Sequence, residues 1–377
     1  MRKVMTLVGT RPELIKMSRV IAELDAHTRH VLVHSGQNYD FELNEVFFRD
    51  LDIRKPDHFL GAAEETAAKT ISEIIARTDD VLEREQPEAL LLYGDTNTCL
   101  AVIAAKRRKI PVFHMEAGNR CFDQRVPEEL NRRVVDHLSD INMVLSEHAR
   151  RYLIAEGIRP ETIIKTGSHL PEVLAYAMPR IQGSDVLARL GLEPARFFLV
   201  SAHREETVDT PERLHELVGT LRAVAAEWKL PLIVSTHPRT RKRLEDLGEK
   251  VEDAAIRFLA PFGFNDYVRL QLESFCILSD SGTITEEASL LSLPAITIRD
   301  AHERPEGMDV GTLIMSGIKR EPVLDAIRVV TAQHDRTKRV ISVVPDYESG
   351  PVSKQVVRVV LSYIDYVNRT VWRRGYD

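Results

Sequence analysis

The sequence of 377 residues predicts an α/β protein built from two doubly wound parallel sheets. Short apolar runs alternate with helical patterns along the chain, and most runs end in a polar turn that contains glycine or serine. Strands that alternate with helices in this way form parallel βαβ units. The series begins afresh near the middle of the chain. Because the chain is too long for one ordinary core, we expect two domains of roughly 150 to 200 residues.

The first domain is predicted from the first series of apolar runs. Residues 4–8 form a strand that ends in Gly9-Thr10-Arg11-Pro12, and apolar residues then recur at helical spacing up to Leu24. A long amphipathic helix is predicted for residues 65–85. Further strands are predicted at residues 30–34, 89–93, 111–113, 141–145 and 163–166.

The second series predicts the second domain. Its helix from Thr210 has that residue as N-cap and Pro211 at the first helical position. We place the domains at residues 1–168 and 169–354, with a C-terminal helix at about 355–377 that packs back on the first domain. The carboxyl ends of both sheets are expected to face one cleft. The predicted strands of the second series are residues 197–202, 232–235, 256–259, 276–279 and 295–298.

Composition excludes several classes of function. The net charge of −6 gives no electrostatic footprint for nucleic acid. The three cysteines, Cys99, Cys121 and Cys276, have no paired spacing, which indicates a reducing compartment and no structural zinc. No uncharged run approaches the roughly 20 residues that span a bilayer, and the N-terminal run is too short for a signal peptide. We therefore expect a cytoplasmic protein without a membrane partner.

The densest cluster of charge lies in residues 114–132, HMEAGNRCFDQRVPEELNR, directly after a predicted strand. Buried charges are costly unless they face a ligand or each other. Glu116 is a candidate catalytic group, and a salt bridge with Arg120 is its structural alternative. Glu128 opens a helix, where an acid is favoured for electrostatic reasons alone. Asp95 follows another strand and is either a third catalytic acid or a helix N-cap.

Other polar motifs follow strands as well. Arg11 and Lys16 offer cations for a diphosphate, or they belong to a solvated helix start. His203 is either a general acid or phosphate ligand, or a capped, half-buried histidine. Ser281-Gly282-Thr283 precedes a helix whose free N–H groups suit a phosphate, and Glu287 one turn further on suits a ribose diol. An ordinary helix start explains that last motif equally well.

Taken together, these motifs resemble the non-hydrolysing UDP-N-acetylglucosamine 2-epimerase family. The resemblance spans nearly the whole chain, and the ordered set is far more specific than any single motif. The motifs are GTRPELIK (9–16), GDT (94–96), EAGNR (116–120), PEELNR (127–132), AHRE (202–205), SDSG with EEA (279–288) and ERPEG (303–307).

The resemblance implies two Rossmann-like domains in a GT-B-like arrangement, with UDP held mainly by the second domain. It implies a homodimer that uses no metal and no other cofactor. The implied reaction inverts C2 of a UDP-N-acetylhexosamine by eliminating UDP to a 2-acetamidoglycal and adding it back. Asp95, Glu116, Glu128 and His203 are then the catalytic group, without a decision on which carboxylate is the base.

The resemblance also implies the residues that hold UDP and the sugar. Glu287 is assigned to the ribose hydroxyls. The implied substrate-binding residues are Arg11, Lys16, Arg120, Ser281, Gly282, Thr283 and Glu287.

The chain departs from the common family pattern at several positions. It has Asn119 and Cys121 where EAGLRT is usual, and Thr283 where the usual motif is SGG. Residues 37–40, Gln-Asn-Tyr-Asp, differ from the pattern that grips an allosteric UDP-N-acetylglucosamine. The variants EAGNRCFDQ and SAHREE look closest to a branch that converts UDP-2-acetamido-2,6-dideoxy-L-talose to UDP-N-acetyl-L-fucosamine.

Two other functions use the same features. A glycosyltransferase of this two-domain fold would also bind a UDP-sugar, because fold alone does not fix function. It would transfer sugar to an added acceptor. A non-catalytic UDP-sugar sensor would bind tightly without turnover.

Overall fold

The computed structural model describes residues 1–37, 48–202, 204, 210–236, 238–246, 248, 255–301 and 303–374. The chain divides into two compact units. Unit 1 is Met1–Tyr176 with Asp346–Asp377, and unit 2 is Ala177–Pro345. This division into units does not test the domain boundaries predicted near residues 168 and 354, which remain predictions.

Unit 1 contains a parallel sheet of seven strands within the described residues, in the order β3-β2-β1-β4-β5-β6-β7. Its central strands are buried apolar runs, as expected where helices cover both faces. The strands are β1 (Lys3–Val8), β2 (Arg29–His34), β3 (His58–Phe59), β4 (Ala89–Tyr93), β5 (Val112–Ala117), β6 (Ile141–Val144) and β7 (Ile163–Lys165).

Unit 2 contains a parallel sheet of six strands in its described part, in the order β10-β9-β8-β11-β12-β13. The prediction of two parallel-sheet α/β domains is therefore confirmed. The strands are β8 (Phe198–Ser201), β9 (Leu232–Ser235), β10 (Ile256–Leu259), β11 (Cys276–Ser279), β12 (Ala295–Thr297) and β13 (Ile314–Met315).

Helices connect the strands and supply the apolar layers. In unit 1, α1 and the C-terminal α14 pack against each other. The helices are α1 (Arg11–His27), α2 (Ala67–Glu85), α3 (Val102–Arg107), α4 (Pro127–Leu138), α5 (Glu147–Ala155), α6 (Leu170–Gln182), α7 (Val186–Leu190), α8 (Pro211–Trp228), α9 (Pro238–Asp246), α10 (Phe264–Glu273), α11 (Ile284–Leu291), α12 (Pro305–Asp309), α13 (Arg320–Gln333) and α14 (Val352–Thr370).

Local sequence explains where the helices begin. The Thr210 side chain accepts a hydrogen bond from the backbone N–H of Arg213, and Pro211 opens α8, as predicted. Thr66 caps α2 in the same way through the N–H of Lys69. None of the described helices is long and apolar enough to cross a membrane.

The strand order fixes the point in each sheet at which the chain stops adding strands on one side and continues on the other. In unit 1 the chain winds outward from β1 through β2 to β3, and then from β4 to β7 on the other side. Unit 2 reverses in the same way between β8 and β11. Ligands of open α/β sheets bind at the carboxyl ends of the strands at such a switch point. The loops after β1 and β4, and after β8 and β11, are therefore the first places to look for a site.

One glycine is required by the packing of unit 1. Gly118 has φ +80°, and a Cβ there would lie 2.6 Å from the carbonyl oxygen of Ala149 in α5. Gly118→Ala should lower the stability of unit 1 by roughly 1–3 kcal/mol, because both the backbone conformation and the contact become unfavourable. Differential scanning calorimetry would show this as a lower melting temperature.

Gly219→Ala is the control for that substitution. Gly219 is exposed in α8, and no heavy atom lies within 4 Å of a Cβ at that position. Alanine should leave the melting temperature unchanged or raise it slightly, because it favours the helix by roughly 0.5–1 kcal/mol. Equal melting temperatures for Gly118→Ala and the wild type would contradict the role of Gly118.

Candidate active site

Hydrogen bonds join the loops after β1, β2 and β4 at the switch point of unit 1. The buried carboxylate of Glu13 accepts hydrogen bonds from the backbone N–H groups of Gly9 and Thr10 and from the Thr96 hydroxyl. Thr98 completes the connection, since its hydroxyl lies 2.8 Å from both Ser35 Oγ and Gln37 Oε1. These hydrogen bonds therefore hold the loop at residues 9–16, the predicted diphosphate-binding loop, against the GDT loop at residues 94–96.

Glu13 is only 2% exposed. Burial raises its pKa to about 7, against the effect of its three hydrogen-bond donors. The negative charge of nearby Asp95 acts in the same direction as burial. Glu13 is therefore a structural acid whose proton is released near neutral pH.

Glu116 lies at the carboxyl end of β5 in an unusual backbone conformation. Its φ is +62°, and the register between β5 and β6 shifts between Met115 and Ala117. Its Oε2 atom is 2.7 Å from Lys16 Nζ and accepts a hydrogen bond from the Tyr93 hydroxyl. A left-handed conformation is costly for a residue with a side chain, and such residues cluster at functional sites.

The sequence-based alternative for Glu116, a salt bridge with Arg120, is wrong. Arg120 Nη1 is 2.7 Å from Asp136 Oδ2, and its Nε and Nη2 atoms donate to both carboxylate oxygens of Glu156 at 2.8 and 2.6 Å. The Arg120 side chain is fully buried. A direct contact of Arg120 with substrate stays a prediction, and its geometry supports a positioning role.

Asp136 of α4 is the centre of this buried network. It accepts hydrogen bonds from His114 Nδ1 at 2.9 Å, from Arg120, and from the backbone N–H of Gly118 at 3.2 Å. His114 Nε2 in turn lies 2.7 Å from the carbonyl oxygen of Gly94. Burial alone would raise the pKa of Asp136, but the hydrogen bond from His114 and the charge of Arg120 hold it below its ordinary value. The network thereby connects the β4 and β5 loops to α4.

Asp95 is held by the same helix. Arg132 Nη2 and Nε lie 2.7 and 3.1 Å from Asp95 Oδ2, and Asn131 Nδ2 donates to the Asp95 carbonyl at 3.0 Å. The alternative reading of Asp95 as a helix N-cap is wrong, because Thr96 caps the following 3₁₀ segment through the N–H of Thr98. The Asp95 carboxylate is therefore fixed at the switch point by an arginine.

The remaining predicted residues of unit 1 lie at helix starts. Arg11 is the first residue of α1, and Glu128 is the second residue of α4 and half-buried. Its neighbour Glu129 is fully buried and pairs with Arg132 at 3.0 Å. The catalytic role of Glu128 and the diphosphate role of Arg11 and Lys16 stay predictions, while the described contact of Lys16 is with Glu116.

In unit 2 the loop after β11 leads into α11 as predicted. Ser281 Oγ lies 3.0 Å from Thr283 Oγ1, and Thr283 is the N-cap residue. A Cβ at Gly282 would lie 3.5 Å from both Arg204 Nη2 and Glu303 Oε2. The backbone at Gly282 thus lies near both the guanidinium of Arg204, from the loop after β8, and the carboxylate of Glu303.

The ERPEG motif, for which the sequence predicts no specific role, contacts the loop after β8 through Glu303 and α11 through Arg304. Glu303 binds Arg299 through two contacts of 2.8 and 3.1 Å and lies 3.7 Å from Arg204 Nη1. Arg304 pairs with the buried Glu286 at 3.2 Å. Glu287, the candidate for the ribose, accepts a hydrogen bond from Gln271 Nε2 at 2.5 Å.

Some predicted positions lie outside the described residues. These are His203, Glu205 of the AHRE motif, and residues 38–40, where the sequence departs from the pattern that grips an allosteric ligand. The adjacent Arg204 is described, and its backbone N–H donates to Asp280 Oδ2 at 2.9 Å. Asp280 thereby connects the loop after β8 to the end of β11.

Sequence reasoning missed several residues of this arrangement. The sequence predicts Tyr93 only as the end of a strand and assigns no role to His114, the first residue of the cluster at 114–132, although both contact the site. Asp136 lies four residues after Arg132 on the same helix face, a spacing that could have identified it as part of the site. Glu13 was visible as the third helical residue after Thr10, where a glutamate commonly binds the N-cap backbone.

The residues of both units match a known family. The model of the UDP-N-acetylglucosamine 2-epimerase family matches residues 22–361. The chain belongs to this family. Membership confirms the resemblance on which the sequence-based assignment depended.

Curated relatives cover nearly the whole chain. The UDP-N-acetylglucosamine 2-epimerase of Methanocaldococcus jannaschii is 31% identical over 372 residues, 97% of this chain and 100% of that protein. The UDP-2,3-diacetamido-2,3-dideoxy-D-glucuronate 2-epimerase of Pseudomonas aeruginosa is 33% identical over 331 residues, 86% of this chain and 91% of that protein.

Solved structures agree with this membership. The UDP-N-acetylglucosamine 2-epimerase of Rickettsia bellii is 61% identical with a TM-score of 0.94, covering 99% of this chain and 100% of that one. The M. jannaschii enzyme in complex with UDP-GlcNAc and UDP is 30% identical with a TM-score of 0.89, covering 96% and 99%. The predicted enzyme class, an isomerase of the UDP-N-acetylhexosamine 2-epimerase type, is confirmed, and the alternatives of a glycosyltransferase or a sensor are not supported.

The buried acid of the β1 loop makes a testable prediction. The raised pKa of Glu13 means that the folded chain retains a proton that the unfolded chain releases between its ordinary pKa of 4.5 and about 7. Stability from this group is therefore greatest at low pH and is lost as the pH rises through that window. Glu13→Gln keeps an acceptor for the backbone N–H groups and removes the titration.

Thermal melts of wild type and Glu13→Gln at pH 5 and pH 8 would measure this effect. We expect the variant to gain stability relative to the wild type on going from pH 5 to pH 8. Parallel pH dependence of the two proteins would show that Glu13 does not titrate in this window.

Proposed function

We propose that this chain inverts the configuration at C2 of a UDP-N-acetylhexosamine by eliminating UDP and adding it back. The observation that carries the proposal is the carboxylate of Glu116, fixed on a left-handed backbone at the switch point of unit 1 and bound by Lys16 and Tyr93. A carboxylate held by a cation and a hydroxyl is suited to accept a proton repeatedly from a bound substrate.

The chemistry of the substrate explains why elimination is needed. The C2 proton of an N-acetylhexosamine is not adjacent to a carbonyl, so its direct removal would leave an unstabilised carbanion. When a base takes this proton as the C1–O bond breaks, the electron pair of the C–H bond forms the C1=C2 double bond. UDP leaves with the electrons of the C1–O bond. Re-addition with protonation of the opposite face gives the inverted sugar.

We assign the proton-abstracting role to Glu116 among the carboxylates of unit 1. Its contacts with Lys16 and Tyr93 stabilise the ionised form that a base requires. Asp95 is fixed by Arg132 and is assigned to orienting the sugar. Glu128 and His203 remain the candidates for delivering the proton to the opposite face.

The nucleotide is assigned to the loops of unit 2 together with Arg11. Ser281, Gly282 and Thr283 precede α11, and N–H groups at a helix start suit a phosphate. Arg204 lies beside Gly282 and adds a cation for the departing diphosphate. Glu287 is assigned to the ribose hydroxyls.

Glu116→Gln tests the assignment of the base. The amide keeps the size of the side chain and cannot accept the C2 proton, so kcat should fall at least roughly a hundredfold. Turnover in D2O should place deuterium at C2 with the wild type, and NMR would show very slow exchange with the variant. Glu65→Gln is the control, because Glu65 is exposed and pairs only with Lys69 on the surface among its described contacts.

Two outcomes would contradict this proposal. Epimerisation without deuterium incorporation at C2 would exclude the elimination route. Full activity of Glu116→Gln would remove Glu116 from the catalytic group.

We also propose that the preferred sugar is UDP-2-acetamido-2,6-dideoxy-L-talose, converted to UDP-N-acetyl-L-fucosamine. The support is the loop sequence Asn119-Arg-Cys-Phe-Asp-Gln, which differs from the common glucosamine pattern. The relatives from M. jannaschii and P. aeruginosa are similarly distant from this chain and carry different sugars in their names. The more similar protein of R. bellii, 61% identical, carries UDP-N-acetylglucosamine in its name, so the proposed sugar rests on the loop sequence and not on overall identity.

A direct comparison of kcat/KM for this nucleotide and for UDP-N-acetylglucosamine tests the preference. We expect the 6-deoxy-L-talo substrate to be favoured by at least roughly tenfold, because a single contact in a sugar pocket is worth about that much. A higher kcat/KM for UDP-N-acetylglucosamine would overturn the assignment of the sugar and leave the proposed reaction intact.

A further inference from the structure

Tyr93 is the last residue of β4, and its side chain is placed against Glu116. The two strands are neighbours, with Tyr93 opposite Met115, so the residue after Met115 comes within reach of the Tyr93 hydroxyl. That hydroxyl donates to Glu116 Oε2, the same oxygen that lies 2.7 Å from Lys16 Nζ. One carboxylate oxygen therefore has two donors from different elements, α1 and β4.

The ring of Tyr93 is fixed on both sides. Lys16 Nζ lies 5.8 Å from the ring centroid, and the ring of His169 packs edge-on at a centroid distance of 5.2 Å. The side chain is almost completely buried, with 5% exposed. This packing holds the hydroxyl at the carboxylate.

The two donors differ in what they can do when Glu116 becomes protonated. An ammonium has three donors and no acceptor, whereas a phenol both donates and accepts. After Glu116 takes a proton, Lys16 offers that oxygen no acceptor. Rotation of the Tyr93 O–H group lets its oxygen accept a hydrogen bond from the new carboxylic acid.

We propose that Tyr93 is a positioning residue that keeps Glu116 hydrogen-bonded in both of its protonation states. The inference rests on the proposed role of Glu116 as the base. No covalent bond of Tyr93 is made or broken, and the proton taken from C2 stays on Glu116 until it is lost to solvent, because another group protonates the opposite face of C2. Loss of the Tyr93 hydrogen bond to this half-buried carboxylic acid would raise the energy of its protonated form and slow the proton transfer.

Tyr93→Phe removes only the hydroxyl. We expect kcat to fall roughly ten- to a hundredfold, as for the loss of a hydrogen bond to a charged group. KM should stay within about threefold and the melting temperature close to the wild type, because the ring still packs on His169. Tyr363→Phe on α14 is the matched control, since its described contact is a ring contact with Tyr366, and it should leave kcat unchanged.

A double-mutant cycle with Glu116→Gln separates positioning from packing. If Tyr93 acts through Glu116, its replacement should change the residual C2 exchange of Glu116→Gln by less than about twofold. A similar loss of exchange in both backgrounds would overturn the proposal. So would a kcat of Tyr93→Phe within twofold of the wild type, a raised KM with unchanged kcat, or a variant that melts far below the wild type.

The proposed function and this inference fail in different ways. A wild-type protein that exchanges no C2 proton of either UDP-N-acetylhexosamine overturns the proposed function. An active wild type with an equally active Tyr93→Phe variant overturns only the role of Tyr93.

Discussion

The candidate site of unit 1 depends on the hydrogen bonds and ion pair that stabilise the buried carboxylate of Asp136. An isolated buried charge is strongly unfavourable, and removing one partner of a buried pair typically costs about 3–5 kcal/mol. Asp136 is stabilised because three groups donate to it, namely His114 of β5, the backbone N–H of Gly118 and the side chain of Arg120. The chain donates to this carboxylate from both sides of Glu116, with His114 before it and Gly118 and Arg120 after it, and it turns between them.

That turn explains the conformation of Glu116. A non-glycine residue in the left-handed region costs of order 1–3 kcal/mol and persists only where its surroundings determine it. Here Gly118 directs its N–H to Asp136 and packs against the backbone of α5, so the preceding residues have little freedom. The strain places the Glu116 carboxylate on Lys16 and Tyr93, away from the arginine that is nearest in sequence. Within residues 116–120, the Glu116 carboxylate therefore contacts Lys16 and Tyr93, whereas Gly118 and Arg120 contact Asp136.

The sequence was sufficient for the elements and insufficient for the charge pairs. Apolar periodicity and residues such as Thr210 and Pro211 are local signals, and they predicted both sheets and the start of α8. Lys16, the cation that pairs with Glu116, is 100 residues away in sequence, so proximity in the chain favours the wrong cation, Arg120. Asp95 was ambiguous for the same reason, since its arginine lies on α4 and only the strand order brings the two together. The ERPEG motif has no role that its own sequence predicts, because Glu303 lies near Arg204 of the loop after β8 and Arg304 pairs with Glu286 of α11.

The buried network also indicates where sugar specificity can vary. Asn119 and Arg120 are buried, and Arg120 pairs with Asp136 and Glu156, so changes there would disturb the buried network beside Glu116. Phe122 is different, being 64% exposed with its ring edge-on to Tyr152. Asp123 pairs with the exposed Arg125 at 2.7 Å. The proposed sugar preference is therefore expected to depend more on the exposed Phe122 than on Asn119 or Arg120, which are buried.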